Sequence, residues 1–152
     1  MSMFTFEIKK RTVDEIVQLL TLFDPYSDKP YSFRDSDSKK QWPEKLAALG
    51  NCIVSYDDNG KIIGTLFFYD NEVAVKNQEG YCVFFCVLPE YRRCGVASQM
   101  IEKVKEHLRS VGIPNFKLKC AKTNIAAFKL YQKTGFVVID EEDNKYTLVS
   151  TT

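Results

Sequence analysis

The sequence predicts an α/β protein with a mixed sheet, of the α+β type, that is covered by helices. The predicted order of elements is β-α-α-β-β-β-α-β-α-β-β. Three observations predict it. Apolar residues alternate in several short segments, as in strands, and recur every three to four residues in others, as in helices. Between residues 81 and 120 a strand, an amphipathic helix and a second strand follow one another. That succession predicts a right-handed crossover between parallel strands.

Length and composition predict one domain over residues 1–152, large enough to bury a core. Hydrophobic residues at 45% and charged residues at 27% are typical of a soluble globular protein. A net charge of +1 argues against broad attraction to nucleic acid or membrane, so any anion site must be local. Without a signal peptide or a run of about 20 apolar residues, a cytoplasmic location is expected.

The cysteines predict buried, reduced thiols. Five of them, an odd number, are scattered through apolar runs, which does not fit a disulfide framework. The chain has a single histidine, His107, and no pair of cysteines at zinc-binding spacing. No metal site is therefore expected.

The first third of the chain predicts one strand and two helices. "FTFEIKK" alternates as a strand does, and Thr12 and Glu15 then have the spacing of a capping box before a helix. Residues 24–38 are predicted to form a polar, turn-rich segment. A second helix is predicted around "PEKLAALG", with Pro43 near its first turn and Gly50 past its end.

The remaining elements follow from turn residues and apolar pattern. "CIVSYDDNGKIIGTLFFYD" predicts a hairpin that turns at residues 58–60. "YCVFFCVL" is apolar on both faces, as in the centre of a sheet. "VASQMIEKVKEHLRSVG" is an amphipathic helix that Gly112 ends. "FKLKC" is a strand, "NIAAFKLYQKTG" a helix that Asn124 can cap, and "FVVID" and "KYTLVS" a final pair of strands.

The turn "YRRCGVA" raises the main functional hypothesis. The long helix begins there without the usual Ser, Thr, Asp or Asn cap, so its first N–H groups have no partner. The helix dipole adds positive potential, Gly95 allows a ligand to approach the backbone, and Arg92 and Arg93 add charge. These features predict a phosphate site. The alternative is an ordinary turn with solvated arginines, but its place after the most buried strand favours the phosphate site.

Two segments resemble a known family. "VLPEYRRCGVASQMI" resembles the acyl-CoA signature of the GNAT superfamily of N-acetyltransferases, in which Gln/Arg-x-x-Gly-x-Gly/Ala follows a strand and a proline. The signature residues here are Arg92, Gly95 and Ala97. "NIAAFKLYQKTGF" is similar to the second block of the family, and the order of elements matches from Phe4 to Ser150.

The resemblance implies a GNAT-like fold and acetyl-CoA as co-substrate, with no metal. The pyrophosphate of the coenzyme would then take the cap position of the long helix. Backbone groups at the end of the central strand would face the pantetheine and the thioester oxygen. The residues implied to bind the coenzyme are Cys86, Val87, Leu88, Arg92, Arg93, Cys94, Gly95, Val96, Ala97, Ser98 and Asn124.

The resemblance also implies catalytic roles. Tyr131 matches the family tyrosine that protonates the departing thiolate, although a core aromatic is the alternative. Some relatives carry a glutamate, as the general base, where this chain has Tyr81. Glu79, two residues earlier, would lie on the same face of a strand and could act through water. A solvated turn residue is the alternative for Glu79.

The acceptor is the least defined part. Tyr26, Tyr31, Phe33 and Trp42 are predicted to wall an acceptor pocket, or else to pack as a lid on the core. The implied reaction is acetyl transfer to a primary amine by direct attack in a ternary complex. A small-molecule amine and a peptide or protein amine both remain open, as do a monomer and a homodimer. The alternative function is a non-catalytic acyl-CoA-binding sensor or interaction module.

Overall fold

The computed structural model describes residues 4–27 and 35–152, which form a seven-stranded sheet with five α-helices. The strands are β1 (Thr5–Lys9), β2 (Gly50–Tyr56), β3 (Ile62–Tyr69), β4 (Glu79–Val87), β5 (Asn115–Ala121), β6 (Val137–Glu142) and β7 (Lys145–Thr151). The helices are α1 (Val13–Phe23), α2 (Ser36–Leu49), α3 (Glu72–Asn77), α4 (Val96–Ser110) and α5 (Ile125–Lys133). The strand order is β1-β2-β3-β4-β5-β7-β6, which confirms a mixed sheet.

The pairing of β4 with β5 is parallel, and the other five pairings are antiparallel. The parallel ladder is short: it runs from Glu79, opposite Asn115, to Tyr81, opposite Lys117. Both strands continue beyond this point, β4 to Val87 and β5 to Ala121. The two central strands therefore separate towards their carboxyl ends.

An irregularity in β4 changes which face its side chains occupy. Phe67 of β3 is opposite Phe84, but Phe68 is opposite Cys82, so Val83 is the extra residue of a β-bulge. Beyond the bulge, Phe84 packs edge-on against Trp42 of α2, with ring centroids 6.3 Å apart. The bulge therefore directs the end of β4 differently from its start.

Two of the predicted helices form as their sequences indicate. Thr12 Oγ1 accepts a hydrogen bond from Glu15 N at 3.2 Å, and Glu15 Oε1 accepts one from Thr12 N at 3.0 Å, which is the predicted capping box of α1. Helix α4 buries the predicted apolar stripe, and its C-terminal turn ends at Gly112, whose φ is +83°. Its buried apolar residues are Val96, Met100, Ile101, Val104 and Leu108.

Helices α2 and α3 differ from the prediction. Helix α2 begins at Ser36, where Asp35 Oδ1 accepts from Ser38 N at 2.8 Å, so Pro43 lies inside the helix and not in its first turn. The cap at Asp35 starts the helix earlier than the proline suggests, within the segment predicted to be turn-rich. Helix α3 was not predicted, because its six residues are too few to show a period.

The cysteines are free thiols, and most of them are buried. No disulfide joins any of the five cysteines, all of which lie in the described ranges, and only Cys94 is exposed. Burial raises the pKa of the Cys52 thiol to about 11, so this thiol stays protonated. Across residues 4–27 and 35–152, no helix has the length and apolarity that crossing a bilayer requires.

Candidate active site

A cleft of about 890 Å³ opens where β4 and β5 separate. The walls of the cleft are the end of β4, the end of β5, the turn before α4, the inner face of α5 and residues 25–27. Its volume is within the usual range for ligand sites, and it lies at the carboxyl ends of parallel strands, where α/β sheets bind ligands. The cleft is therefore the candidate site.

The backbone of β4 presents hydrogen-bonding groups to the cleft. Leu88 N donates to Ile63 O at 2.9 Å, so the pair of Leu88 and Ile63 is hydrogen-bonded across β3 and β4. In an antiparallel ladder such pairs alternate with pairs whose groups face the opposite way. The N–H groups of Val87 and Phe85 therefore point towards the cleft, where β5 has diverged, and that of Cys86 points towards β3.

This alternation corrects part of the prediction for the thioester site. Val87 has the expected position. The N–H of Leu88 is bonded to β3 and does not face the cleft, and Phe85, not Leu88 or Cys86, shares the orientation of Val87. Cys86 contributes its side chain to the lining of the cleft instead. The sequence cannot show which N–H groups of β4 face the cleft, because their direction depends on the bulge and on the register with β3.

The turn before α4 has the geometry that a phosphate site needs. Gly95 occupies the N-cap position with φ +83°, and Arg93 also lies in the left-handed region, with φ +66°. No side chain caps α4, and its first turn contains no acidic residue. A Cβ at Gly95 would approach only Gln99 Nε2, at 3.7 Å, so the backbone conformation and not crowding requires glycine there.

The other residues predicted for this turn have different positions. Ala97 and Ser98 line the cleft. Val96 has a fully buried side chain, so only its backbone is available to a ligand. Cys94 is exposed, and its sulfur lies 3.8 Å from Arg92 O.

The guanidinium of Arg92 is bonded to the protein backbone. Its Nε donates to Val87 O at 3.1 Å, and its Nη2 donates to Tyr26 O at 3.1 Å. This side chain therefore joins the turn to two other walls of the cleft, and its charge lies beside the turn as predicted. The neighbouring Arg93 is exposed and lines the cleft.

Three further cations line the cleft and were not predicted. Lys119 lies on β5, and Lys129 and Lys133 lie one turn apart on α5. The spacing of the two α5 lysines and the predicted crossover could have indicated them, because the carboxyl end of β5 must share an edge with that of β4. Together with Arg93 they give the cleft a positive potential that suits an anion.

The α5 residues predicted for the site both line the cleft. Tyr131 is 8% exposed, and its ring packs edge-on against Phe136 with centroids 5.6 Å apart. Asn124 Oδ1 accepts from Ala127 N at 3.2 Å and caps α5. Asn124 is thus a helix cap at the edge of the cleft. Tyr131 is as buried as a core residue, and it also borders the cleft.

Glu79 does not lie at the cleft. It is the first residue of β4, and its Oε1 is 3.3 Å from Nζ of Lys117. The nearest residue of β4 that lines the cleft is Cys82, three residue steps or about 10 Å of strand away. Glu79 could therefore reach the cleft only through water, and its role as the base stays a prediction. At Tyr81, burial raises the pKa of the phenol, which disfavours the ionised form that a base requires.

Phe84, Cys86 and residues 25–27 form the wall of the cleft that lies nearest to Trp42. Trp42 packs against Phe84 and supports this wall from behind, without lining the cleft itself. Tyr31 and Phe33, which were also predicted for an acceptor pocket, lie outside the described residues, whereas Tyr26, a further residue predicted for it, lines the cleft. In the described ranges no three His, Cys, Asp or Glu side chains come together as a metal site.

Comparison with known proteins gives consistent results. The sequence pattern of the family described as "Acetyltransferase (GNAT) family" matches residues 13–136. The chain is 34% identical over 80 residues to the GCN5-related N-acetyltransferase 6, chloroplastic, of Arabidopsis thaliana, a match that covers 53% of this chain and only 27% of that protein. It is 26% identical over 125 residues to N-alpha-acetyltransferase 30 of Schizosaccharomyces pombe, which covers 80% of this chain and 75% of that protein.

The fold is also shared with a solved structure. The PaiA N-acetyltransferase from Thermoplasma acidophilum, in complex with coenzyme A, superposes with a TM-score of 0.72 at 15% identity. The superposition covers 97% of this chain and 99% of that one. At that identity the likeness establishes the fold.

Proposed function

The chain belongs to the acetyltransferase (GNAT) family, and from this premise we propose that it transfers the acetyl group of acetyl-CoA to a primary amine by direct attack in a ternary complex. The observation that carries the proposal is the cleft itself, where an uncapped helix and a diverging central strand meet. One end of the cleft suits an anion and the other presents backbone N–H groups, and acetyl-CoA needs both.

The residues of the cleft fit the coenzyme. The first-turn N–H groups of α4 would bind the pyrophosphate, because no side chain caps them and the helix dipole favours an anion there. Lys119, Lys129 and Lys133 would hold the remaining phosphate charge. The space between β4 and β5 would take the pantetheine, and Val87 N–H would donate to the thioester oxygen.

The proposed reaction uses Tyr131 as the acid. The amine nitrogen forms a bond to the thioester carbonyl carbon, and charge develops on the carbonyl oxygen beside Val87 N–H, where such donors stabilise it most. The C–S bond then breaks, and the hydroxyl of Tyr131 donates its proton to the departing thiolate. The amine loses its own proton to solvent, and solvent returns a proton to the Tyr131 phenolate.

A peptide α-amine is the acceptor that we propose. The similarity to N-alpha-acetyltransferase 30 supports this class over 80% of the chain. The chemistry of the cleft supports it too, because its described lining contains no Asp, Glu or His to deprotonate a strongly basic amine. An α-amine has a pKa of about 7.7–8.0, so a large share is already neutral near pH 7.5, whereas a lysine at about 10.4 is almost fully protonated.

A second candidate is a non-catalytic acyl-CoA-binding module. The observation that favours it is that the described lining of the cleft contains no Asp, Glu or His, so the base expected from the sequence does not border the site. This candidate shares the coenzyme site with the enzyme but predicts no acetyl transfer, so turnover separates the two.

Acetyl-CoA is expected to raise the melting temperature of the protein. A ligand that binds only the folded state, at about 100 times its dissociation constant, stabilises it by roughly 2.7 kcal/mol. The measurement is a thermal shift with acetyl-CoA, coenzyme A, ATP and NAD at equal concentration. The first two should give large shifts, and ATP and NAD much smaller ones. Equal shifts from all four would contradict a site specific for coenzyme A.

A peptide with a free α-amine and no lysine is expected to release coenzyme A from acetyl-CoA. The measurement is thiol release at pH 7.5, with mass spectrometry of the peptide. The matched controls are the same peptide with a blocked N-terminus and a blocked peptide that carries one lysine. Faster acetylation of the lysine peptide would reject the α-amine, and release with a polyamine alone would indicate a small-molecule acceptor.

A further inference from the structure

Arg92 connects three parts of the cleft that come from distant segments of the chain. Its backbone belongs to the turn before α4, its Nε binds Val87 O at the end of β4, and its Nη2 binds Tyr26 O. Tyr26 ends the 3₁₀ turn Asp24–Tyr26, which follows α1 and belongs to the wall of the cleft nearest to Trp42, the proposed acceptor wall. One planar group thus holds the proposed pyrophosphate turn, thioester site and acceptor wall together.

The bond to Val87 O has a specific consequence for the thioester site. The alternation of the β3–β4 ladder directs both the N–H and the C=O of Val87 towards the side where β5 has diverged. The carbonyl has therefore lost the strand partner that it would have in a regular sheet. Its partial negative charge would oppose an oxyanion nearby, and the bond from the Arg92 guanidinium offsets that charge and fixes the peptide plane.

The bond to Tyr26 O reaches the acceptor wall. The same carbonyl lies 3.6 Å from Cys86 Sγ, so β4 and the turn before α4 both contact this point of the chain. The backbone of Arg92 moves with the turn, and its side chain moves with it. The hydrogen bond to Tyr26 O therefore joins the turn before α4 directly to the wall formed by residues 25–27.

We propose that Arg92 is a positioning residue, which couples the coenzyme turn to the thioester-carbonyl site and to the acceptor wall and does not bind phosphate through its side chain. The proposal rests on the proposed function for its catalytic consequence, but the contacts themselves do not depend on it. The proposal predicts that residue 92 must place two hydrogen-bond donors at fixed positions, and that a positive charge alone is not enough. A lysine keeps the charge but cannot place two nitrogens in the fork of a guanidinium.

The kinetic test compares Arg92→Lys, Arg92→Gln and Arg93→Gln. Both Arg92 variants should lose about tenfold or more in kcat, since a single displaced oxyanion donor costs up to about 10²–10³. The KM for the peptide acceptor should rise, while the Kd for acetyl-CoA stays within about threefold of wild type. Arg93→Gln should give the opposite pattern, a rise in the Kd for acetyl-CoA that exceeds any fall in kcat. A rescue of kcat by Arg92→Lys, or a Kd effect in either Arg92 variant that exceeds its kcat effect, would overturn the proposal.

A second measurement needs no turnover. Amide hydrogen exchange in the ligand-free protein should speed up at residues 24–27 and 85–88 in Arg92→Lys and not in Arg93→Gln, because the Arg92 guanidinium donates to Tyr26 O and to Val87 O. Unchanged exchange in both segments would refute the coupling, whatever the enzyme does. If wild type binds no acetyl-CoA, the proposed function fails on its own, and the exchange result still decides whether Arg92 links the segments.

Discussion

Gly95→Glu is expected to abolish useful binding of acetyl-CoA while the protein remains folded. The new carboxylate would lie at the N-terminus of α4, where the pyrophosphate is proposed to bind. Two like unit charges about 4 Å apart repel by about 4 kcal/mol near a protein surface, and about 1.4 kcal/mol corresponds to a factor of ten. The dissociation constant should therefore rise by at least about a hundredfold. Isothermal titration with acetyl-CoA measures it.

The control for Gly95→Glu must reproduce its backbone strain. Any side chain at φ +83° costs about 1–2 kcal/mol, and Gly112 at the other end of α4 has the same φ. Among the described residues, no atom lies within 4 Å of the place where a Cβ of residue 112 would stand. Gly112→Glu should therefore lower the melting temperature as much or slightly more, because a negative charge disfavours a helix C-terminus. It should bind acetyl-CoA normally. Equal affinity in wild type and Gly95→Glu would show that this turn does not hold the phosphates.

The sequence was sufficient where the relevant chemistry is local. The capping box of Thr12 and Glu15 involves residues three apart, and its two hydrogen bonds form as predicted. The turn at Gly95 was also predictable, because a helix without a cap and with a glycine before it leaves few interpretations. In both cases the neighbours that decide the structure are next to each other in the chain.

The rest of the site depends on contacts that no local pattern reveals. The partner of Arg92, Tyr26 O, is 66 residues away, so the sequence showed the charge of the arginine but not its use. Glu79 was placed on a face of β4 by counting in twos, which says nothing about the distance along the strand to the cleft. The bulge at Val83 then changes the count itself. Register and long-range pairing thus account for the corrections.

The pattern of lysines on the cleft shows an intermediate case. Lys129 and Lys133 are separated by one helical turn, so a shared face was predictable, but many surface helices carry such pairs. Only the packing of α5 beside the open end of β4 and β5 gives the pair a functional meaning. Sequence alone identifies the helix face, and the tertiary arrangement identifies what lies opposite it.

Tyr131→Phe separates an acetyltransferase from a binding module, because it removes only the hydroxyl that the proposed mechanism uses. The ring, which is 8% exposed and packs on Phe136, should stay in place, so stability and the Kd for acetyl-CoA should change little. General-acid assistance is worth about 10²–10⁴-fold, and a thiolate is a good leaving group, so kcat should fall by about 10- to 100-fold. Stopped thiol-release assays at saturating acetyl-CoA and peptide give this value.

Tyr146→Phe provides the matched comparison for this loss. Tyr146 lies on β7, and its ring packs on Phe128 of the same helix that carries Tyr131, with centroids 4.9 Å apart. Removal of its hydroxyl makes an equal chemical change next to α5, and it should leave kcat nearly unaltered because Tyr146 does not line the cleft. If kcat in Tyr131→Phe equals that in Tyr146→Phe and in wild type, Tyr131 is a core aromatic and the thiolate takes its proton from another group. If kcat falls only in Tyr131→Phe while acetyl-CoA binds as before, the hydroxyl acts in the chemical step, which a binding module does not have.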